Sequence, residues 1–296
     1  MDSSYKVQSL FEVKNLVAVV TGGGSGLGRV ITHALAANGA KAIYILGRRE
    51  DALNKTRDSS SHSHVIHPVV CDVTSKDALE AAAERVRKEV GYCDVVLANS
   101  GIATAMLEDS VLKKNESTTV KDVQQSLWKP SMDEFTKTLH VNVTAVFFTV
   151  VAFLDLLDEG NKRAVVTQKS QVIIMSSIAG FARIVISSYA YAASKAAAIQ
   201  LGKQLATAFA QFKIRVNVIA PGVYPSEMTD DTLLKGNSNP REEGGMPKGS
   251  NPLERSGTEE EMAGVALFLT SAAGGYLDGS VLMTDGGRTC IVPATY

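Results

Sequence analysis

Tyr191 and Lys195 are separated by three residues in the run Tyr191-Ala192-Ala193-Ser194-Lys195, a step that places both on one helix face, one turn apart. A phenol titrates near pH 10, so drawing it toward neutrality requires on the order of 4 kcal/mol of phenolate stabilisation. A close ammonium in a water-poor cleft supplies that, and the pair could then move a proton as general acid and base. Tyr189 has no such companion, since Ala193 stands in the corresponding place. The same spacing also occurs on many helices with no chemical role. Ser176 and Ser177 follow the apolar run 172–175 and would stand at the carboxyl edge of a parallel sheet, facing a ligand crevice. Serines there also simply cap loops.

A second constellation lies near the start of the chain. Thr21-Gly22-Gly23-Gly24-Ser25-Gly26-Leu27-Gly28 follows a β-branched run and opens a helical pattern, so side-chain-free backbone could seat a pyrophosphate at the positive helix end. A tight turn without ligand has the same composition. At the end of the next apolar run stand Gly47-Arg48-Arg49. A carboxylate at that place would accept from the ribose hydroxyls of NAD, whereas two guanidinium groups favour the 2′-phosphate of NADP(H). Solvated surface arginines are the plain alternative.

Positioning these groups requires a repeating strand and helix order. Apolar runs at 17–21, 42–46, 65–71, 94–98, 172–175, 215–219 and 281–283 read as strands, and helical patterns at 27–38, 76–90, 131–157, 189–212 and 259–269 alternate with them. Ser131 and Glu134 form a capping box at the head of the third of these helices. The order predicts an α/β fold, a single doubly wound Rossmann domain over 1–296 with a seven-stranded parallel sheet covered by helices on both faces. Segments 107–130, 158–171 and 224–252 read as insertions or loops, the last as a substrate lid.

Composition narrows the partners. A chain of 296 residues with 45% hydrophobic and 21% charged residues buries a sizeable core. The formal net charge of −1 offers no basic field for nucleic acid or an anionic membrane. Cys71, Cys93 and Cys290 have neither CxxC nor metal-ligand spacing and are expected as reduced thiols, with no metal site. Residues 1–14 lack the apolar run of a secretory signal and read as a lead-in, and no stretch of about eighteen apolar residues is evident. A cytoplasmic enzyme handling a small molecule is expected.

Assembled, these residues resemble the short-chain dehydrogenase/reductase family over about residues 16–287. The resemblance implies a cofactor site of Thr21, Gly22, Gly24, Ser25, Gly26, Leu27 and Gly28, with Arg48 and Arg49, and with Tyr191 and Lys195 also touching the cofactor. It adds Asp72 and Val73 against the adenine, and Asn99, Ser100 and Gly101 in a segment that departs from the family pattern at two positions. It implies a nicotinamide turn in which Pro221, Gly222, Val223 and Ser226 take part, with Pro225 an uncommon member. The family's catalytic tetrad matches Asn142, Ser177, Tyr191 and Lys195. Ser177 stands one residue farther from Tyr191 than is usual, so Ser176 is the alternative.

By this resemblance the chain reduces a ketone with NADP(H), or oxidises the alcohol in reverse. Tyr191 is then the general acid and base, Ser177 binds the carbonyl oxygen, Lys195 holds the ribose and stabilises the phenolate, and Asn142 keeps a water. Ser100, Ile102, Thr104, Phe181, Ile184, Tyr224 and the segment 224–252 are expected to line the substrate pocket. The wording is similar to fungal reductases of specialised metabolism and to 3-oxoacyl reductases, and a homodimer or homotetramer through helices near 135–157 and 189–212 is implied. The competing class is a redox-neutral or non-catalytic nucleotide-binding protein on the same fold.

Overall fold

Seven parallel strands form one sheet in the order β3-β2-β1-β4-β5-β6-β7. They are β1 (Val17–Thr21), β2 (Ala42–Gly47), β3 (Ile66–Val70), β4 (Val95–Ala98), β5 (Gln171–Met175), β6 (Arg215–Pro221) and β7 (Val281–Thr284). The computed structural model describes residues 5–105, 118–185, 188–230, 234, 236–237 and 239–295.

Every residue of β1 is buried, because both of its faces are covered. Val17 and Val19 join one apolar cluster with Val150 and Leu156, while Ala18 and Val20 join the other with Ile31 and Leu35. This alternation follows from the period of two along a strand. The helix Gly26–Ala37, which follows β1, packs on the second face and contacts the helix Glu259–Thr270. The helix Ala145–Ala152, reached from β4, packs on the first face beside the helix Lys76–Glu89. Neighbouring strands β1 and β4 therefore send their chains to opposite sides, which opens a crevice at their carboxyl ends.

Several expected boundaries shift. The helix expected over 131–157 is three pieces: Met132–Leu139, a π-helical turn His140–Thr144, and Ala145–Ala152, with Phe153 (φ −107°, ψ 6°) ending the run. A further helix, Leu154–Arg163, occupies the start of the expected loop 158–171. Its charges are an exposed helical face, with Lys162 paired to Asp158 and Glu159 at 2.8 Å each, and Ala164 (φ 50°) terminates it. The expected insertion 107–130 contains the helix Val120–Leu127, headed by a capping box of Thr119 and Asp122, while 107–117 lies outside the described residues.

The lead-in contains a helical turn, Val7–Phe11, whose Phe11 ring lies 6.5 Å from that of Phe268. The run Met132–Ala152 is long and apolar enough by composition to cross a membrane, contrary to the expected absence of such a stretch. In the fold it carries the buried Asn142 toward the crevice and packs Val146 and Val150 into the core.

Ser131 accepts from the Glu134 amide at 3.1 Å, and the Glu134 carboxylate accepts from the Ser131 amide at 2.9 Å. Ser131→Ala is expected to cost about 1 kcal/mol through the loss of this cap, read as a lowered midpoint in urea unfolding.

Candidate active site

The crevice holds two adjoining lobes of about 530 and 300 Å³. The larger is lined by Gly22, Gly24, Ser25, Arg48, Arg49, Asp72 and Val73, and the smaller by Ser177, Tyr191, Lys195, Pro221, Gly222 and Ser226. Asn99 and Leu27 face the smaller lobe, and Ser100 and Gly101 face both. Residues about 200 positions apart thus share one cleft.

The glycine turn is shaped for close approach. Gly22 (φ +66°) and Gly26 (φ +50°) adopt left-handed backbone, and a Cβ on Gly28 would meet the Gly22 carbonyl oxygen at 2.3 Å. Thr21 is a buried clamp outside the cleft wall: its hydroxyl accepts from the amides of Asn99 and Ser100 at 2.9 and 3.0 Å. Ser25, at the head of the helix Gly26–Ala37, makes no side-chain cap, and no acidic residue lies in the first turn. Exposed amides at the positive helix end are what a pyrophosphate requires.

At the end of β2 both arginines are exposed. Arg49 donates to Ser25 Oγ at 3.2 Å and pairs with Glu227 at 2.7 Å. The Asp72 carboxyl is held below its usual range, first by the Thr74 amide and hydroxyl at 3.0 and 2.7 Å and then by the charges of Arg48 and His140. Val223 lines a neighbouring cavity with Tyr224 and Asn251 and does not face either lobe. Its amide neighbour in the turn, Gly222, sits so close to Asp285 that a Cβ would meet the Asp285 Cα at 2.8 Å.

In the smaller lobe the Ser177 hydroxyl faces the Tyr191 phenol and lowers its pKa, but burial pushes it up more strongly. Lys195 is 4% exposed, its Nζ donates to the Met175 carbonyl at 2.9 Å, and it lies 5.6 Å from the centre of the Tyr191 ring. Burial pushes the Lys195 ammonium down to about 8. The expected acidified phenol is therefore not what the protein alone presents: desolvation disfavours both phenolate and ammonium, leaving Tyr191 a protonated donor.

Ser176, the expected alternative to Ser177, is engaged elsewhere. Its hydroxyl is buried and donates to the Lys195 carbonyl at 2.7 Å, tying β5 to the helix Tyr189–Phe209. Asn142 sits in the π-helical turn, a local widening frequent at functional sites. Its Oδ1 accepts from the Ile102 amide at 2.9 Å, and its Nδ2 donates to the Ile102 carbonyl and to Ser194 Oγ, each at 2.9 Å. A Cβ on Gly101 would stand 3.4 Å from both Asn142 Oδ1 and Lys195 Nζ, so these three residues converge. Of the expected substrate lining, Ser100, Ile102, Thr104 and Tyr224 face the cleft, whereas Phe181 belongs to the core.

Sequence reasoning missed Thr74, Lys137 and His140, which also line the larger lobe, whereas Glu227 and Thr229, which line the smaller, fall in the segment 224–252 expected to border the pocket. Thr74 had a local signal, an Asp followed two residues on by Thr, which suits a side-chain turn. The pairing of Glu227 with Arg49 had none, because the two are 178 residues apart.

Residues 16–235 match the short chain dehydrogenase family. The short-chain dehydrogenase/reductase PhomF of Diaporthe leptostromiformis is 43% identical over 97% of this chain and 96% of its own length. VdtF of Byssochlamys spectabilis, described in the same words, is 38% identical over 97% of each chain. Among solved structures, the RhlG/NADP active-site complex of Pseudomonas aeruginosa is 30% identical with a TM-score of 0.77, covering 94% of this chain and 98% of that one.

The buried Lys195 yields a pH test. A lysine whose folded pKa is depressed destabilises the fold while protonated, a penalty present below pH 8 and lost as pH rises from about 8 to the unfolded value of 10.5. Wild type should therefore gain on the order of 3 kcal/mol relative to Lys195→Met across that window. Chemical denaturation of both proteins at several pH values measures it, and parallel curves would refute it.

Proposed function

Because the chain belongs to the short-chain dehydrogenase family, we propose that it reduces a ketone using NADPH, with Tyr191 as the proton donor. One observation carries this reading: Ser177, Tyr191 and Lys195 meet at one end of a cleft whose other end presents a glycine turn and two arginines. The residues fit a nicotinamide dinucleotide by their chemistry, with exposed amides for pyrophosphate, guanidinium groups for a 2′-phosphate and Gly101 for close ribose approach.

When bound, the nicotinamide supplies the hydride to the carbonyl carbon. Ser177 donates a hydrogen bond to the carbonyl oxygen, and Tyr191 delivers its proton to that oxygen as negative charge develops. A phenol kept protonated by burial is poised for this direction. Lys195, anchored on Met175, is placed to bind the ribose and to stabilise the phenolate that remains. Asn142 spends both amide hydrogens on Ile102 and Ser194, and the second lone pair of Oδ1 is left to hold a water that returns a proton from solvent. The reverse alcohol oxidation uses the same groups.

A place in fungal specialised metabolism is part of this proposal, and a relative 30% identical, the rhamnolipids biosynthesis 3-oxoacyl-[acyl-carrier-protein] reductase of Pseudomonas aeruginosa, supports a carbonyl substrate. We also propose a cytoplasmic homodimer or homotetramer, since Phe147 and Val151 leave an apolar strip on the helix Ala145–Ala152. Light scattering on the purified chain should return a multiple of 31.5 kDa, and a monomer would refute it.

Tyr191→Phe is expected to lower NADPH-dependent reduction of a responsive ketone by about 10²–10⁴-fold. NADPH affinity should stay within about twofold, because the phenol is assigned to proton delivery. Steady-state rates with fluorescence titration of NADPH check both, and a Phe variant that turns over like wild type ends the reading.

A further inference from the structure

Arg49 lines both lobes of the cleft and is held from two sides. One Nη atom donates to Ser25 Oγ on the glycine turn at 3.2 Å and to Glu227 Oε2 at 2.7 Å. Glu227 opens the short helix Glu227–Asp230 after β6, so the ion pair bridges the mouth of the cleft from the adenosine side to the nicotinamide side. The neighbouring Arg48 has no ion pair among the described residues.

The side chains of Arg49 and Glu227 are 58% and 63% exposed, and a pair so open to water contributes little to folding. It is easily exchanged for another anion. A carboxylate offers an arginine what a phosphate monoester offers, namely a pair of negatively charged oxygens that can accept two guanidinium hydrogens. Glu227 therefore stands on Arg49 as an internal substitute for such a ligand.

We infer that Glu227 is a cofactor-specificity residue that competes with the 2′-phosphate of NADPH for Arg49. The inference rests on the NADP(H) reading above. NADPH must displace the carboxylate and then meets its repulsion, whereas NADH, with a hydroxyl at that place, leaves the pair intact. Glu227 thus narrows the preference for NADPH that the two arginines create. The exchange also reaches the other lobe: Ser226 and Thr229 flank Glu227, line the nicotinamide end and touch each other at 3.1 Å. Releasing Glu227 frees their segment from the glycine turn when a 2′-phosphate arrives.

Equilibrium titration of NADPH and NADH into wild type, Glu227→Gln, Arg49→Ala and the double variant tests this without turnover. In about 50 mM salt, Glu227→Gln should bind NADPH about three- to fivefold more tightly and leave NADH within about 1.5-fold, the size of an exposed pair. The gain should shrink in about 0.5 M salt, where screening is short-ranged, and vanish in the Arg49→Ala background. An unchanged or weakened NADPH affinity, or equal gains for both cofactors, overturns the inference. An Arg48→Ala/Arg49→Ala protein separates the two readings. If it loses NADPH selectively while Glu227→Gln changes nothing, the competition alone falls. If it keeps the wild-type NADPH to NADH ratio, the NADP(H) reading falls and the competition with it.

Discussion

One buried ammonium organises the cleft. Lys195 is kept out of water with the Met175 carbonyl at the end of β5 accepting from its Nζ, and the Ser176 hydroxyl pins the lysine's own carbonyl to the same strand end. These two bonds set the height of the helix Tyr189–Phe209 against the sheet. That height in turn brings the Tyr191 phenol to Ser177 at the mouth of the smaller lobe. Asn142 closes the arrangement from a third direction by holding both the Ile102 backbone and Ser194, one residue before the lysine.

Desolvation acts on this group in a way that suits a proton donor. With the protein alone, burial raises the phenol and lowers the ammonium, so neither charge is favoured. In the proposed reduction, phenolate would form as the proton leaves for a developing alkoxide, and the lysine would then regain a nearby negative charge. The same low-dielectric setting that makes Lys195 a burden on stability makes its attraction for that charge strong.

The opposite end of the cleft works by exposure. Its glycines present backbone amides, its arginines lie in solvent, and the Arg49–Glu227 pair is open enough to be remade around an incoming anion. The two ends share Ser100 and Gly101 after β4, the strand beside β1 where the crossover direction reverses. A ligand spanning the cleft would therefore touch both a rigid, buried end and a polar end that can exchange partners.

The order of strands and helices was legible in the chain because burial on both faces of a parallel sheet leaves continuous apolar runs, as in Val17–Thr21, and because glycines mark the turn that follows. The Tyr191–Lys195 spacing was legible for the same local reason, since a helix repeats every 3.6 residues. The helical continuation over 158–163 was not, because its run of charged residues imitates a loop. Nor could local pattern choose between Ser176 and Ser177, which differ in which way a strand end points. The Arg49–Glu227 contact and the pKa directions at Tyr191 and Lys195 arise from distance and burial, quantities that exist once the chain has folded and segments far apart in sequence share a dielectric. Residue types and periodicity reach as far as the list of reactive groups; their protonation and partners belong to the packed sheet and its cleft.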